Sequence, residues 1–209
     1  IIYVDTHFDH PDRTTREGKV NQANQEIFYK NLKIFLEKVS NVYEKPVIIA
    51  KHPANKLNNK FYESFEVSKI PTNEAIYDSE LVIFTVSSAI LSAVLLKKKI
   101  INIKSMLLGG YLLNMNRQYT ESLGLVSFDI DKDIFLEKKS LDLELKNSIK
   151  NYDNYINNKL ILDGNNSPTK KIPDVIYDRF FWIYFPAVQP PSEIIEVPVI
   201  LEDFSVVKK

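Results

Sequence analysis

The sequence predicts an α/β fold in which helices cover both faces of a parallel sheet. Short runs of valine and isoleucine alternate along the chain with segments whose apolar residues recur every three to four positions. These runs are continuously apolar, which is typical of strands that are buried on both faces. Cysteine is absent and no apolar run approaches the ~20 residues of a membrane span, so the sequence indicates neither a disulfide scaffold nor a membrane-spanning fold.

The predicted elements follow one another as strand, helix and strand. The first helix is indicated by Phe28, Leu32, Phe35 and Val39, which share one helical face. The glycine-containing segment 107–124 is predicted as a loop leading into a helix. Strands are predicted at residues 1–4, 46–50, 81–85, 99–103 and 125–131, and helices at 21–45 and 87–98. This repeat, with right-handed crossovers, predicts a Rossmann-like parallel sheet flanked by helices.

The chain is predicted to contain a sheet domain over residues 1–135 and a helical extension with a proline-rich tail over 136–209. The extension would contain a long charged helix over residues 135–160 and a closing helix over 174–185. Because the chain opens on a strand without an initiator methionine, we expect it to be part of a longer protein.

The charge balance limits the classes of ligand and partner that the chain is expected to bind. Lysine plus arginine and aspartate plus glutamate both number 27, so no net positive charge recruits nucleic acid, and an anionic ligand needs a local site. A chain without cysteine, signal peptide or anchor is expected in the cytoplasm.

Two predicted strands end in residues suited to binding phosphate or ribose. Lys51, His52 and Pro53 follow the second strand, and "TVSSA", with Thr85, Ser87 and Ser88, follows the third. Ligands of open parallel sheets bind outside the carboxyl ends of the strands, where helix N-termini also point. Two simpler interpretations stay open: the serines cap the following helix, and His52 is a packed, hydrogen-bonded residue.

The loop after the first strand, "DTHFDHPD", is rich in acidic and imidazole groups. It contains Asp5, His7, Asp9, His10 and Asp12. With only His52 left elsewhere, the three histidines of the chain are too few for the metal site of a metallo-β-lactamase-like hydrolase, so no metal is predicted. The loop is interpreted either as a solvated turn or as a wall of a cleft, where Asp5 or His7 would act catalytically on donor or acceptor.

Together, "VIIAKHP" and "YDSELVIFTVSSAILSAVLLKKKIINI" resemble the carboxyl-terminal half of GT-B glycosyltransferases that build bacterial surface polysaccharides. In the bacterial sialyltransferases, the capsular Kdo-transferases and the glycerophosphotransferases, a His-Pro pair and a downstream serine pair hold the nucleotide and its phosphate. The matching residues are His52 with Pro53, and Ser87 with Ser88. Where many relatives carry glycine and proline before the next strand, this chain has lysines at 97–99. The acidic motif of the sialyltransferases belongs to the amino-terminal domain and has no counterpart in this chain.

The resemblance implies transfer of a sugar from a nucleotide-activated donor, such as CMP-linked sialic acid or Kdo, to a glycan of a bacterial capsule or lipopolysaccharide. It implies no cofactor beyond the nucleotide-sugar, a missing amino-terminal GT-B domain, and work at the cytoplasmic face of the inner membrane. The alternatives are a non-catalytic nucleotide-binding GT-B-like domain, a nucleotide-sugar epimerase and a metal-dependent hydrolase.

Overall fold

A computed structural model describes residues 1–8, 11–18, 21–55 and 61–157. Its strands are β1 (Ile2–Val4), β2 (Ile48–Ala50), β3 (Glu66–Val67), β4 (Leu81–Phe84), β5 (Lys99–Lys104) and β6 (Val126–Asp129). Its helices are α1 (Pro11–Glu17), α2 (Gln22–Tyr43), α3 (Thr72–Asp78), α4 (Ile90–Leu95), α5 (Gly109–Leu123), α6 (Lys138–Ile149) and α7 (Tyr152–Tyr155). Two 3₁₀ turns, Tyr62–Ser64 and Met106–Leu108, complete the described elements.

All six described strands form one parallel sheet in the order β3-β2-β1-β4-β5-β6. The chain adds two strands on one side of β1 and then returns to add three on the other side. This is the order of a doubly wound Rossmann fold, so the predicted fold class is confirmed.

Alternate residues of the strands face two separate apolar layers. On one face, Tyr3 and Ile83 pack with α2 and with Leu141 and Leu145 of α6. On the other face, Val4 and its neighbours pack with α3, α4 and α7. Burial of each large apolar side chain contributes about 1.5–3 kcal/mol. Because both faces of the strands are covered, successive strand positions are apolar, which explains the continuous apolar runs in the sequence.

Helix α2 has the capping residues that its position requires. The Asn21 side chain accepts a hydrogen bond from the Ala23 N–H, which satisfies one of the free donors of the first turn. The helix ends at Glu44, which takes the left-handed conformation with φ 54°. The apolar face predicted for this helix is its buried face, on which Phe28, Leu32 and Val39 are fully buried.

Three described elements were not predicted, namely α1, β3 and α3. β3 has two residues, too few for a periodic pattern, and α1 and α3 have seven each. The long charged helix is divided into α6 and α7, both of which pack against the sheet. The closing helix and the proline-rich tail lie outside the described residues, and the boundary at residue 135 stays a prediction.

No described helix is both long and apolar enough to cross a membrane.

Candidate functional site

The candidate site lies at the carboxyl edge of the sheet, beside β1. The chain leaves β1 toward β2, and it later returns to β4 on the opposite side of β1. The loop after β1 and the loop after β4 therefore run in opposite directions and leave a crevice between them. Val4 is in register with both Ala50 and Phe84. The next residues of the three strands, Asp5, Lys51 and Thr85, therefore lie at the same level of this edge.

Asp5 is the centre of a buried hydrogen-bond network. Its Oδ2 accepts from the Tyr62 hydroxyl at 2.6 Å, from Asn55 Nδ2 at 2.6 Å and from the His52 N–H at 3.4 Å. Its Oδ1 accepts from the Thr6 N–H at 2.9 Å. Burial raises the pKa of the Asp5 carboxyl above 3.8, and the hydrogen bonds from Tyr62 and Asn55 oppose that rise.

This network gives Asp5 a role in holding loops together. The carboxylate joins β1 to the loop after β2, and residue 5 is only 2% exposed. The catalytic role of Asp5 stays a prediction. Neither Asn55 nor Tyr62 was singled out in the sequence, because each is distant from Asp5 along the chain and neither belongs to a recognisable motif.

His7 and His52, from neighbouring loops, stack on each other. Their ring centroids are 4.9 Å apart and the ring planes differ by 10°. His52 Nδ1 accepts a hydrogen bond from the Ala54 N–H at 3.2 Å, so a neutral His52 carries its proton on Nε2. Both imidazoles are partly exposed, and the stacking and the bond from Ala54 keep the simpler interpretation of His52 as a packed, hydrogen-bonded residue open.

Lys51 and Pro53 shape the loop that carries His52. The Lys51 ammonium donates to the Asn55 carbonyl and so closes the loop on itself. Pro53 is exposed and restricts the backbone of His52 to extended conformations. The two residues thereby restrict the backbone on either side of His52.

Thr6 connects the loop after β1 to the loop after β4. Its hydroxyl donates to the Val86 carbonyl at 3.1 Å and accepts from the Val86 N–H at 3.2 Å. One buried hydroxyl thus takes the place of a missing pair of main-chain bonds between the diverging loops. This clamp, which no local pattern in the sequence signals, fixes the distance between the serine pair and the histidine pair.

The residues after β4 divide into a buried part and an accessible part. The Thr85 side chain is fully buried, with its hydroxyl 3.3 Å from that of Tyr3. Ser87 Oγ accepts from the Ala89 N–H at 3.3 Å, as a capping serine does, while Ser88 is exposed. The predicted phosphate-binding roles of Thr85, Ser87 and Ser88 stay predictions, and Ser88 is the one with the most accessible side chain.

A second group of polar side chains lies around the carboxyl ends of β4 and β5. Asn116 of α5 donates to the carbonyls of Thr85 and Ile103, both at 2.7 Å. Asn102, fully buried within the apolar strand β5, donates to the same Thr85 carbonyl at 3.2 Å and accepts from Ser127. These bonds hold the end of β4 in place. An isolated asparagine in the run "KIINIK" was the available signal for them.

An open cavity of about 590 Å³ lies next to this second group. Its lining includes Asn116, Thr120 and Ser127 together with the charged Lys104 and Arg117. Neither His52 nor the serine pair belongs to its lining.

Within the part of the chain that the structure describes, no group of three or more histidine, aspartate or glutamate side chains is arranged to hold a metal ion. Asp9 and His10 lie outside the described residues, as does the side chain of Asp12.

The fold and this edge define the class of protein: a Rossmann-like α/β domain, the architecture that binds nucleotides beyond the carboxyl ends of its strands. No protein-family profile matches the chain, and comparisons with curated proteins and with solved structures gave no significant match.

Proposed function

We propose that this chain is the donor-binding half of a GT-B glycosyltransferase that uses a nucleotide-activated sugar. The observation that carries the proposal is the pairing of motif and position. A His-Pro pair follows β2 and a serine pair follows β4, and these two strands flank β1 in a sheet of Rossmann order. That is the crevice in which this fold class binds nucleotides.

In the proposed mechanism, the donor phosphate binds at the turn that leads into α4. The Ser87 and Ser88 hydroxyls donate to its oxygens, and His52 donates from Nε2 to a phosphate or ribose oxygen. As the glycosidic bond breaks, negative charge grows on the leaving phosphate, and these fixed donors stabilise it. No metal ion takes part in this scheme.

His7 is the residue we propose for proton transfer. Its ring is partly exposed and stacks on His52, next to the proposed phosphate position. An imidazole carries one nitrogen that can accept a proton and one that can donate it, as general acid–base work requires. We assign the buried Asp5 to positioning the His52 loop. In this proposal the acceptor is a bacterial surface glycan, which an amino-terminal GT-B domain would present to this edge at the cytoplasmic face of the inner membrane.

Calorimetric titration with cytidine monophosphate tests the proposed binding. Replacing both serines, Ser87→Ala with Ser88→Ala, should weaken binding by about 2–4 kcal/mol, because two hydrogen bonds to a charged group are lost. Ser122→Ala is the matched control. Ser122 is an exposed serine near the carboxyl end of α5, and its hydroxyl bonds within its own helix. Unchanged affinity in a folded double mutant would reject the phosphate role and leave Ser87 as a capping residue.

Titration of uridine and adenosine monophosphates alongside tests the choice of base. We expect the cytidine nucleotide to bind most tightly. Equal affinity for all three would reject the cytidine-linked donor while keeping a general nucleotide site.

A second candidate function is a non-catalytic nucleotide-binding domain. The enclosure of Asp5 favours it, because the carboxylate nearest the crevice already accepts four hydrogen bonds. The two candidates differ in turnover. A chain with its amino-terminal half present should transfer or slowly hydrolyse CMP-sugar if it is an enzyme, and should bind the nucleotide without consuming the donor if it is not.

A further inference from the structure

The N-terminus of helix α5 is occupied by a carboxylate of the protein itself. Glu17 Oε1 accepts a hydrogen bond from the N–H of Tyr111, in the first turn of the helix. A Cβ atom added to Gly109 would lie 2.8 Å from Glu17 Oε2, and one added to Gly110 would lie 3.0 Å from Oε1. The two glycines therefore leave open the space that the carboxylate oxygens fill.

Glu17 has two partners, the Arg13 guanidinium of its own helix, with which it forms an ion pair, and the start of α5. Glu17 is the last residue of α1, and a negative charge at the carboxyl end of a helix is unfavourable. At the N-terminus of the 15-residue α5, the same charge meets free N–H groups and the positive end of the helix dipole. The carboxylate is therefore held both by the start of α5 and by the ion pair with Arg13. Its side chain is 25% exposed, so solvent and ions reach it.

A buried arginine points at the same place. Arg13 is 5% exposed, and its Nη2 lies 3.0 Å from the position of a Cβ on Gly109. Its Nη1 donates to the Phe8 carbonyl at 3.5 Å. Among the described residues its Nε–H has no hydrogen-bond partner, because Glu17 Oε2 is 3.6 Å away. A buried guanidinium N–H without an acceptor is costly unless a ligand supplies one.

We propose that the start of α5 together with Arg13 is a binding site for a phosphate-type oxyanion, and that Glu17 fills this site when no anion is bound. An incoming phosphate would accept from the Tyr111 N–H and from Arg13 Nε, in the space that the two glycines leave open. It would displace the Glu17 carboxylate toward solvent. The site is separate from the serine pair, and the proposal does not depend on the proposed function.

Titration with sodium phosphate at constant ionic strength, with chloride as the reference anion, tests the proposal. Glu17→Gln keeps the shape of the side chain and removes the competing charge. We expect it to bind phosphate about fivefold more tightly than the unaltered chain, and phosphate to raise its melting temperature more than chloride does. Glu121→Gln, near the other end of α5, is the matched control and should behave like the unaltered chain, since Glu121 is exposed and pairs with Arg117.

Gly110→Ala locates the site. Alanine suits a helix at this position, but its Cβ would lie 3.0 Å from the present carboxylate oxygen. Adding it to Glu17→Gln should remove the gain in phosphate affinity. If Glu17→Gln does not fold, Gly110→Ala alone should bind phosphate more weakly than the unaltered chain. Equal affinity of Glu17→Gln and the unaltered chain, or a gain that survives Gly110→Ala, would overturn the proposal.

Cytidine monophosphate in the same titration distinguishes the sources of the anion. A gain for phosphate alone in Glu17→Gln identifies a free anion as the ligand. A gain for both identifies the phosphate group of a nucleotide. Either result supports the site, and a gain for neither overturns it.

Discussion

Single buried hydrogen bonds hold the loops of the candidate site together. Asp5 and Thr6 are adjacent in sequence, yet one joins β1 to the loop after β2 and the other joins it to the loop after β4. Each bond is worth about 1 kcal/mol in net stability, but leaving one buried partner unsatisfied costs more than that. These two residues therefore affect the geometry of the site more than their small side chains suggest.

Asp5→Asn should destabilise the chain by about 1–3 kcal/mol at neutral pH, because an amide cannot accept from donors at both of its atoms. Its effect should also depend on pH. Burial raises the folded pKa of Asp5 above its ordinary value of 3.8, so the folded state holds its proton to higher pH than the unfolded state does. The contribution of Asp5 is then fully present below about pH 4 and is lost as the pH rises through the folded pKa.

Urea denaturation of both chains between pH 4 and pH 7 measures this dependence. The stability advantage of the unaltered chain over Asp5→Asn should shrink as the pH rises. An advantage that grows with pH would show that the hydrogen bonds outweigh burial at Asp5.

His52→Ala distinguishes a ligand-facing imidazole from a structural one. We expect cytidine nucleotide affinity to fall about tenfold, since one hydrogen bond to a charged group is lost. The unfolding free energy should fall by less than about 1 kcal/mol, because the ring is partly exposed and its Nδ1 bond to Ala54 is replaceable by water. Pro53→Ala keeps the imidazole and should weaken binding less. A His52→Ala chain that melts early and binds normally would end the case for His52 as a donor-site residue.

Among the elements, the division of the predicted long helix is the clearest effect of packing. Residues 135–160 were predicted as one helix, yet Leu141 and Leu145 pack on one side of the sheet while Tyr152 and Ile156 pack on the other. The change of layer begins at Ile149, the last residue of α6, which packs against the second layer. Lys150 and Asn151 keep helical φ and ψ angles but donate to carbonyls three residues back, so a 3₁₀-like turn joins α6 to α7.

The turn between α4 and β5 gives a test at the same scale. Lys97 takes the left-handed conformation, with φ 52°. This conformation costs a residue with a Cβ about 1–2 kcal/mol. Lys97→Gly and Lys97→Ala both lose the exposed ion pair with Asp153, so their comparison isolates the backbone.

We expect Lys97→Gly to be about 1 kcal/mol more stable than Lys97→Ala in urea denaturation. The reverse order, which is usual inside helices, would mean that residue 97 does not hold the left-handed conformation in solution.

For the whole molecule, the strand order decides which loops meet. Because β1 lies between β2 and β4, the loops after residues 4, 50 and 84 begin side by side at one edge although up to 80 residues separate them. This proximity brings His7 onto His52, and Thr6 onto Val86. The start of α5 follows β5 and lies at the same carboxyl edge. Both proposed anion sites, the serine pair and the start of α5, are therefore at this edge of the sheet.

Removal of divalent metal should leave the molecule unchanged. The proposed phosphate site consists of hydroxyl, imidazole and main-chain N–H groups, none of which needs a cation to bind an anion. We expect EDTA treatment to alter neither the melting temperature nor the affinity for cytidine monophosphate, with a magnesium-supplemented sample as the control. Stoichiometric zinc or manganese retained through purification, and a lower melting temperature after its removal, would instead favour a metal-dependent hydrolase.

The sequence by itself determined the fold class and the elements whose pattern is long enough to read. The apolar runs of β1, β2, β4 and β5 and the apolar face of α2 are local signals, because burial on both faces or on one helical stripe dictates residue type position by position. The order of the motifs also indicated that His52 and the serine pair lie on one edge. Only the tertiary structure decided that Asp5 is enclosed by Asn55 and Tyr62, that Thr6 clamps Val86, and that Glu17 fills the start of α5. Those contacts join residues 50 to 94 positions apart, and no local pattern encodes a hydrogen bond whose partner is chosen by how strands and helices pack.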